Sequence, residues 1–203
     1  MMMKRRLLLC LLLLLPAAPA LHAQRLSWSV EWGFTGTFYS YHDLHYTTLE
    51  GYHMDPRFYD NDFHTNGFLG VQLGVGLSER LQLDVCTGYY GMQYDIRSIP
   101  AGLRGTWAFG SMPDGRGVSG FLEAGIGFSD ENGKKSADYA RLGASYDLPL
   151  GAGVRLRFLA AGVVSLAHPV PYDPFDEQFV DPERVGRSNR LCVGLSVGTA
   201  ISF

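Results

Sequence analysis

The sequence predicts an all-β protein, an eight-stranded antiparallel up-and-down barrel of the transmembrane kind. Three observations carry that prediction. Apolar residues recur at every second position in eight separate stretches of about ten residues, the period of a strand with two unlike faces. The connections between the stretches alternate between short and longer. The closing stretch, "LCVGLSVGTAISF", runs its alternation to Phe203 with no polar tail to cover it.

Composition supports the class. The chain has 203 residues, enough for one domain, with 25 Gly, 12 Phe, 11 Tyr and 3 Trp but only 18% charged residues. That balance suits strands and turns and is too apolar for a disordered chain. Residues 1–23 read as a secretory signal: Lys4, Arg5 and Arg6, then a Leu run from Leu7 to Leu15, then small and breaker residues ending in "APALHAQ". The expected cut follows Ala23, with a cut after Ala20 as second choice, so that residues 24–203 form the barrel domain. Cys10 lies inside the Leu run, the wrong place for a lipidated cysteine. Loss of the three cations takes the formal charge from −3 to −6, which argues against nucleic acid as a partner. Cys86 and Cys192 fall mid-strand, three strands apart, and read as two small buried thiols.

The strands follow in order. "LSWSVEWGFTGTFYS" sets Leu26, Trp28, Val30, Trp32, Phe34 and Phe38 against Ser27, Ser29, Glu31 and Gly33. "FLGVQLGVGLS" sets Leu69, Val71, Leu73 and Val75 against Gly70, Gln72 and Gly74. "LQLDVCTGYYG" sets Leu83, Val85 and Tyr89 against Asp84, Cys86 and Gly88. "SIPAGLRGTWAF" sets Ile99, Leu103, Trp107 and Phe109 against Gly102, Arg104 and Thr106. "VSGFLEAGIGFS" sets Leu122, Ile126 and Phe128 against Phe121, Glu123 and Gly125. "YARLGASYDLPL" sets Leu142, Tyr146 and Leu148 against Arg141, Gly143 and Asp147. "VRLRFLAAGVVSL" sets Leu156, Phe158 and Val164 against Arg155, Arg157 and Leu159. The expected connections are short at Ser78–Arg80, Gly110–Gly117 and Pro149–Gly153. They are longer at Tyr41–His64, Gly91–Arg97, Asp130–Asp138 and His168–Asn189.

Alternation alone leaves a soluble ligand-holding barrel, apolar face inward, as the structural rival. Three features favour an apolar face turned to lipid. Large aromatics fall near the strand ends on that face: Trp28, Trp107, Phe109 and Phe203 at the short-turn end, Phe38, Tyr89 and Phe128 at the other. Two such girdles belong at two membrane interfaces. The opposite face carries Glu31, Asp84, Glu123 and Asp147 with Arg104, Arg141, Arg155 and Arg157, a balanced set of acids and arginines that fits a side-chain-filled lumen. The terminal strand, ending at Phe203, zips against the first to leave no edge.

"RSIPAGLRGTWAF", "FLEAGIGFS", "YARLGASYDLPLGAGVRLRF" and "GLSVGTAISF" resemble the strands of the outer membrane beta-barrel domain family labelled PorT-like, among the small eight-stranded barrels of the OmpX and OmpA kind. The resemblance spans the mature chain. It implies an eight-stranded barrel in the bacterial outer membrane, with both termini periplasmic. The terminal strand with Phe203 is similar to the signal read by the barrel assembly machinery. A place in a secretion or surface-assembly machine is implied by the resemblance alone.

Chemistry concentrates outside the strands. His42, His45, His53 and His64 fall in the first long connection among Asp43, Glu50, Asp55, Asp60 and Asp62; His168 opens the last, with Asp173, Asp176, Glu177, Asp181 and Glu183. His with carboxylate suits zinc-like ions, yet the spacing matches no known site, so no metal and no cofactor is expected. A solvated crown, or one that contacts an extracellular protein or glycan, is the reading. No catalytic residue is assigned: Ser165 and His168, the nearest pair for a lipid-modifying enzyme, point to opposite faces of a strand. The expected function is a structural or interaction role of a monomer through its outward loops, among outer-membrane lipid and lipopolysaccharide. The alternatives are a narrow channel or transporter for a small solute and, behind it, a lipid-modifying enzyme.

Overall fold

The computed structural model of the chain describes residues 26–93, 96–109, 116–128 and 136–203. The signal expected at residues 1–23 therefore lies outside the described residues, as does most of the Gly110–Gly117 turn. Eight long strands form the molecule: β1 (Leu26–Thr47), β2 (His64–Gly76), β3 (Leu81–Gln93), β4 (Ile96–Phe109), β5 (Gly117–Phe128), β6 (Ser136–Gly151), β7 (Val154–Ala167) and β8 (Val185–Ser202). Each pairs antiparallel with its neighbours in sequence, and β8 pairs with β1 to close the cylinder. Closure gives every barrel strand a partner on both sides, so no edge is left to be shielded.

The alternating sequence decides what faces where. Trp32, Leu69, Val85, Leu103, Leu122, Leu142, Phe158 and Leu195 all project from the outer wall and are exposed. The residues between them are buried: Glu31, Gln72, Asp84, Arg104, Glu123, Arg141 and Asp147 are among the most enclosed side chains of the chain. The molecule is thus inverted relative to a soluble barrel, with a polar interior and an apolar outer belt. Gly102 and Gly125 show why the interior is rich in glycine. A Cβ on either would overlap the Tyr139 ring or hydroxyl, which fills the space they leave.

The turn between β6 and β7 is tight. Ala152 at φ 51° and Gly153 at φ 82° are both left-handed, the pattern of a primed hairpin turn that matches strand twist. At this end Phe203 stacks on Trp28 with ring centroids 4.1 Å apart, and their backbones exchange two hydrogen bonds of 2.8 and 3.2 Å.

The opposite end departs from the expected run of loops. β1 does not stop near Tyr41 but continues to Thr47, and β8 begins at Val185, well before Asn189. Their pairing runs from Ser29↔Ser202 to Tyr46↔Val185. A short strand, Arg57–Asp60, pairs with Ser40 to Asp43 on the other side of β1, and His53–Met54 pairs with Tyr46 and Thr47. The cause is a bulge between Thr37 and Tyr39. Below it the odd residues Ser29, Glu31 and Thr37 are buried; above it the even residues Ser40, His42, Leu44 and Tyr46 are. An extra residue in one strand inverts the phase of alternation, so a reader following period two loses the strand there. The connection expected at Gly91–Arg97 is likewise short: β3 runs to Gln93 and β4 starts at Ile96. The last connection carries a small hairpin, Tyr172–Asp173 with Gln178–Phe179, and a 3-10 turn at Pro182–Arg184.

Candidate functional site

Two regions hold the chemistry, the plugged lumen and the crown above it. In the lumen, Glu31 of β1, Arg104 of β4, Glu123 of β5 and Arg141 of β6 form a closed quartet. Arg104 meets Glu31 at 2.7 Å and Glu123 at 2.5 Å; Arg141 meets Glu31 at 2.9 Å and Glu123 at 3.3 Å. Each guanidinium bridges both carboxylates, so two positive and two negative groups neutralise one another across the barrel. Side-chain exposure is at most 4% for all four. Burial of such charges is tolerable only with full pairing, and the remaining lone pairs are used: Gln72 donates to Glu31, and the Tyr139 hydroxyl donates to Glu123 at 2.8 Å. Arg104 also lies over the Phe121 ring at 4.7 Å and Arg141 over Phe68 at 4.8 Å, which sandwiches the quartet between aromatic faces.

Below the quartet, Asp147 of β6 accepts from Arg157 of β7 at 2.6 and 3.0 Å, with the half-exposed Arg155 at 3.8 Å. Asp84 is set apart. Its register partner is Arg104, but that side chain reaches to the glutamates instead. Asp84 accepts from the amide of Gln82 at 2.5 Å. Of the eight charged residues predicted inside, seven thus join two ion-pair groups, and Asp84 takes an amide. Above the quartet, Phe68, Tyr90, Ile96, Ala137, Tyr139 and Ala167 form an apolar layer. A cavity beside it, lined by Thr35, Tyr90, Arg141 and Ser165 among others, measures about 20 Å³, room for roughly one water. Cys86 and Cys192 are both buried.

The predicted girdle residues Trp28, Phe38, Tyr89, Trp107, Phe109, Phe128 and Phe203 all project outward and are exposed.

The crown, where the spacing predicts loop, is an ordered wall of short sheet. On its outer face Asp43 meets Arg57 at 3.2 Å and Arg187 at 3.0 Å, while Asp55 meets both at 3.5 Å and lies 3.8 Å from His45. Tyr39, Tyr41 and Tyr59 cluster beside them, Tyr59 with centroids 5.8 and 5.0 Å from the other two. On the inner face Leu44 and Tyr46 pack against Val180 of the last connection, with Met54 and Val185 around them. Burial, and after it the nearby Asp173 and Asp176 carboxylates, push the Tyr46 phenol above its ordinary pKa.

Of the four histidines weighed as weak metal candidates, His45 and His53 stack with ring centroids 6.4 Å apart. His42 stacks on Phe58 at 4.4 Å and shares a hydrogen bond of 3.2 Å with the Ser40 hydroxyl. His45 faces Asp55, and His53 bonds Thr47 at 3.1 Å. Among the described residues, His64 falls in a set of potential ligands with Asp60 and Asp62. Those two carboxylates were visible in the sequence, but their convergence depends on a turn that spacing does not reveal. Ser165 accepts from Gln93 at 3.3 Å inside the barrel, and the His168 ring lies 2.9 Å from the Ser188 carbonyl, so the two share no site.

No protein-family model matches the chain, and no curated protein matches it in sequence. Among solved structures it is similar to Neisserial surface protein A at 14% identity, covering 87% of this chain and 97% of that one, with a TM-score of 0.42. It is also similar to the outer membrane protease OmpT from Escherichia coli at 8% identity, covering 88% and 96%, with a TM-score of 0.37.

Proposed function

We propose that the chain is a small integral barrel of the bacterial outer membrane that works as a structural or interaction protein through its outward crown. One observation carries the reading: a closed barrel with an apolar outer wall and an ion-paired interior. Such a surface is unfavourable in water, and a closed set of strands satisfies every backbone group that lipid cannot. The short-turn end, where Trp28 and Phe203 stack, then faces the periplasm, with both termini on that side after signal cleavage, and the crown faces outward. The girdle aromatics sit at the two lipid interfaces, and Phe203 with its strand is what the barrel assembly machinery engages. The PorT-like resemblance belongs with this proposal, as does a monomer surrounded by lipid and lipopolysaccharide. The quartet and the aromatic layer over it fill the lumen, which favours a plug over a solute path. An extracellular protein or glycan meets the crown, and no catalytic step is assigned to it.

The test uses the three tryptophans, Trp28, Trp32 and Trp107, all of which project from the outer wall. Mature protein folded into vesicles of bromine-labelled phospholipid should show strong quenching of their fluorescence. Unquenched fluorescence would remove the membrane reading. A planar bilayer recording on the same protein should be silent; steady conductance would make transport the function and overturn the plug.

A further inference from the structure

We propose that Asp60, Asp62 and His64 form a binding site for a zinc-class divalent cation at the foot of the crown. The three residues alternate along one stretch of chain, Asp60 closing the short strand and His64 opening β2. Their donor atoms lie within 4.8 Å of one another. Donors sharing one zinc ion stand about 3–4.3 Å apart at ordinary metal–ligand lengths, so small rotations of two exposed or half-exposed side chains bring them onto an ion. The donor set is mixed, one imidazole nitrogen and two carboxylate oxygens, which suits borderline first-row ions better than calcium or magnesium.

The fold explains why these side chains converge. β1 changes neighbour here: Thr37 pairs with His64 of β2, and Ser40 pairs with Asp60 of the short strand. The bulge in β1 falls between those two pairings. The intervening chain must turn outward and return, and the Phe63 ring lies against Gly36 on the outer wall as it does so. Asp60, Asp62 and His64 are left together at the junction.

Charge gives an independent reason. Asp43, Asp55 and Asp181 of the crown each meet an arginine. The Asp60 carboxylate accepts the backbone N–H of Asp62 at 2.8 Å, which holds the two acids side by side. Two carboxylates held side by side repel, and a divalent ion would relieve that. With three protein ligands, a fourth position is left for water or a partner's donor group. The ion would fasten the short strand to the barrel rim.

The experiment is a zinc titration by calorimetry of metal-stripped, folded mature protein in detergent, with calcium as a comparator. One saturable zinc site per chain is expected, with calcium at least tenfold weaker. Asp62→Asn and His64→Gln, each checked for its heat-modifiable folded form, should weaken zinc tenfold or more. A variant lacking His45 and His53 should bind as the parent does. Absence of saturable zinc binding, preference for calcium, or unchanged affinity in Asp62→Asn would overturn the site. So would loss of binding in the His45 and His53 variant. Asp62 is exposed and makes no interior contact, so its replacement tests the ligand and not the fold.

Discussion

Arg104 illustrates how much a single interior side chain holds. Its guanidinium neutralises Glu31 and Glu123 together. Arg104→Met would leave two buried carboxylates to share Arg141. The expected loss is about 3–5 kcal/mol, read as a shift in guanidinium unfolding of the detergent-folded protein. Adding Glu123→Gln restores balance between Glu31 and Arg141, so the double variant should recover at least about 1 kcal/mol of that loss. A double variant weaker than Arg104→Met would show that charge balance does not set this cost. The eight interior charges were legible in the sequence because strand parity assigns them to one face. Their partners were not. Asp84 sits opposite Arg104 in register, yet a long guanidinium can span the lumen, and two glutamates draw it there. Parity tells which way a side chain points but not how far it reaches.

The strands carry two further expectations. Ala152 holds a left-handed conformation at φ 51°, which costs an L-residue about 1–2 kcal/mol. Ala152→Asn should therefore raise stability by about 0.5–1 kcal/mol in the same unfolding assay. Leu103 stands mid-strand on the outer wall of β4 and is exposed. Leu103→Arg should cost about 2–4 kcal/mol in a bilayer. The same replacement in a barrel surrounded by water would be neutral or favourable, so the sign separates the two environments. At this scale the sequence foretold eight strands and the faces of each. It missed residues 41–47 of β1, where the bulge at Thr37 and Tyr39 inverts the alternation, and residues 185–190 of β8, which pair with that stretch. It also left the strand Arg57–Asp60 in a loop, since four residues are too few to show a period.

For the whole molecule, closure was foreseeable from the matching alternation of the first and last strands, whereas the lopsided height was not. β1 has 22 residues and β5 has 12, so one wall of the barrel stands well above the rest. The wall that stands highest is also the join between first and last strands, paired from Ser29 to Tyr46 of β1. The join between β2 and β3 is far shorter, from Phe68 to Gly76 of β2. The first and last barrel strands therefore meet along the longest zipper in the barrel, and the shortest seam lies between β2 and β3. Forced apart, the cylinder should unroll between β2 and β3 while its terminal strands stay clasped. A circular permutant whose new ends open the turn at residues 77–80 would place the free ends on that shortest seam. It should lose its folded, fast-migrating form at a lower temperature than the parent. A permutant as heat-resistant as the parent would show that length of seam does not set where this barrel opens.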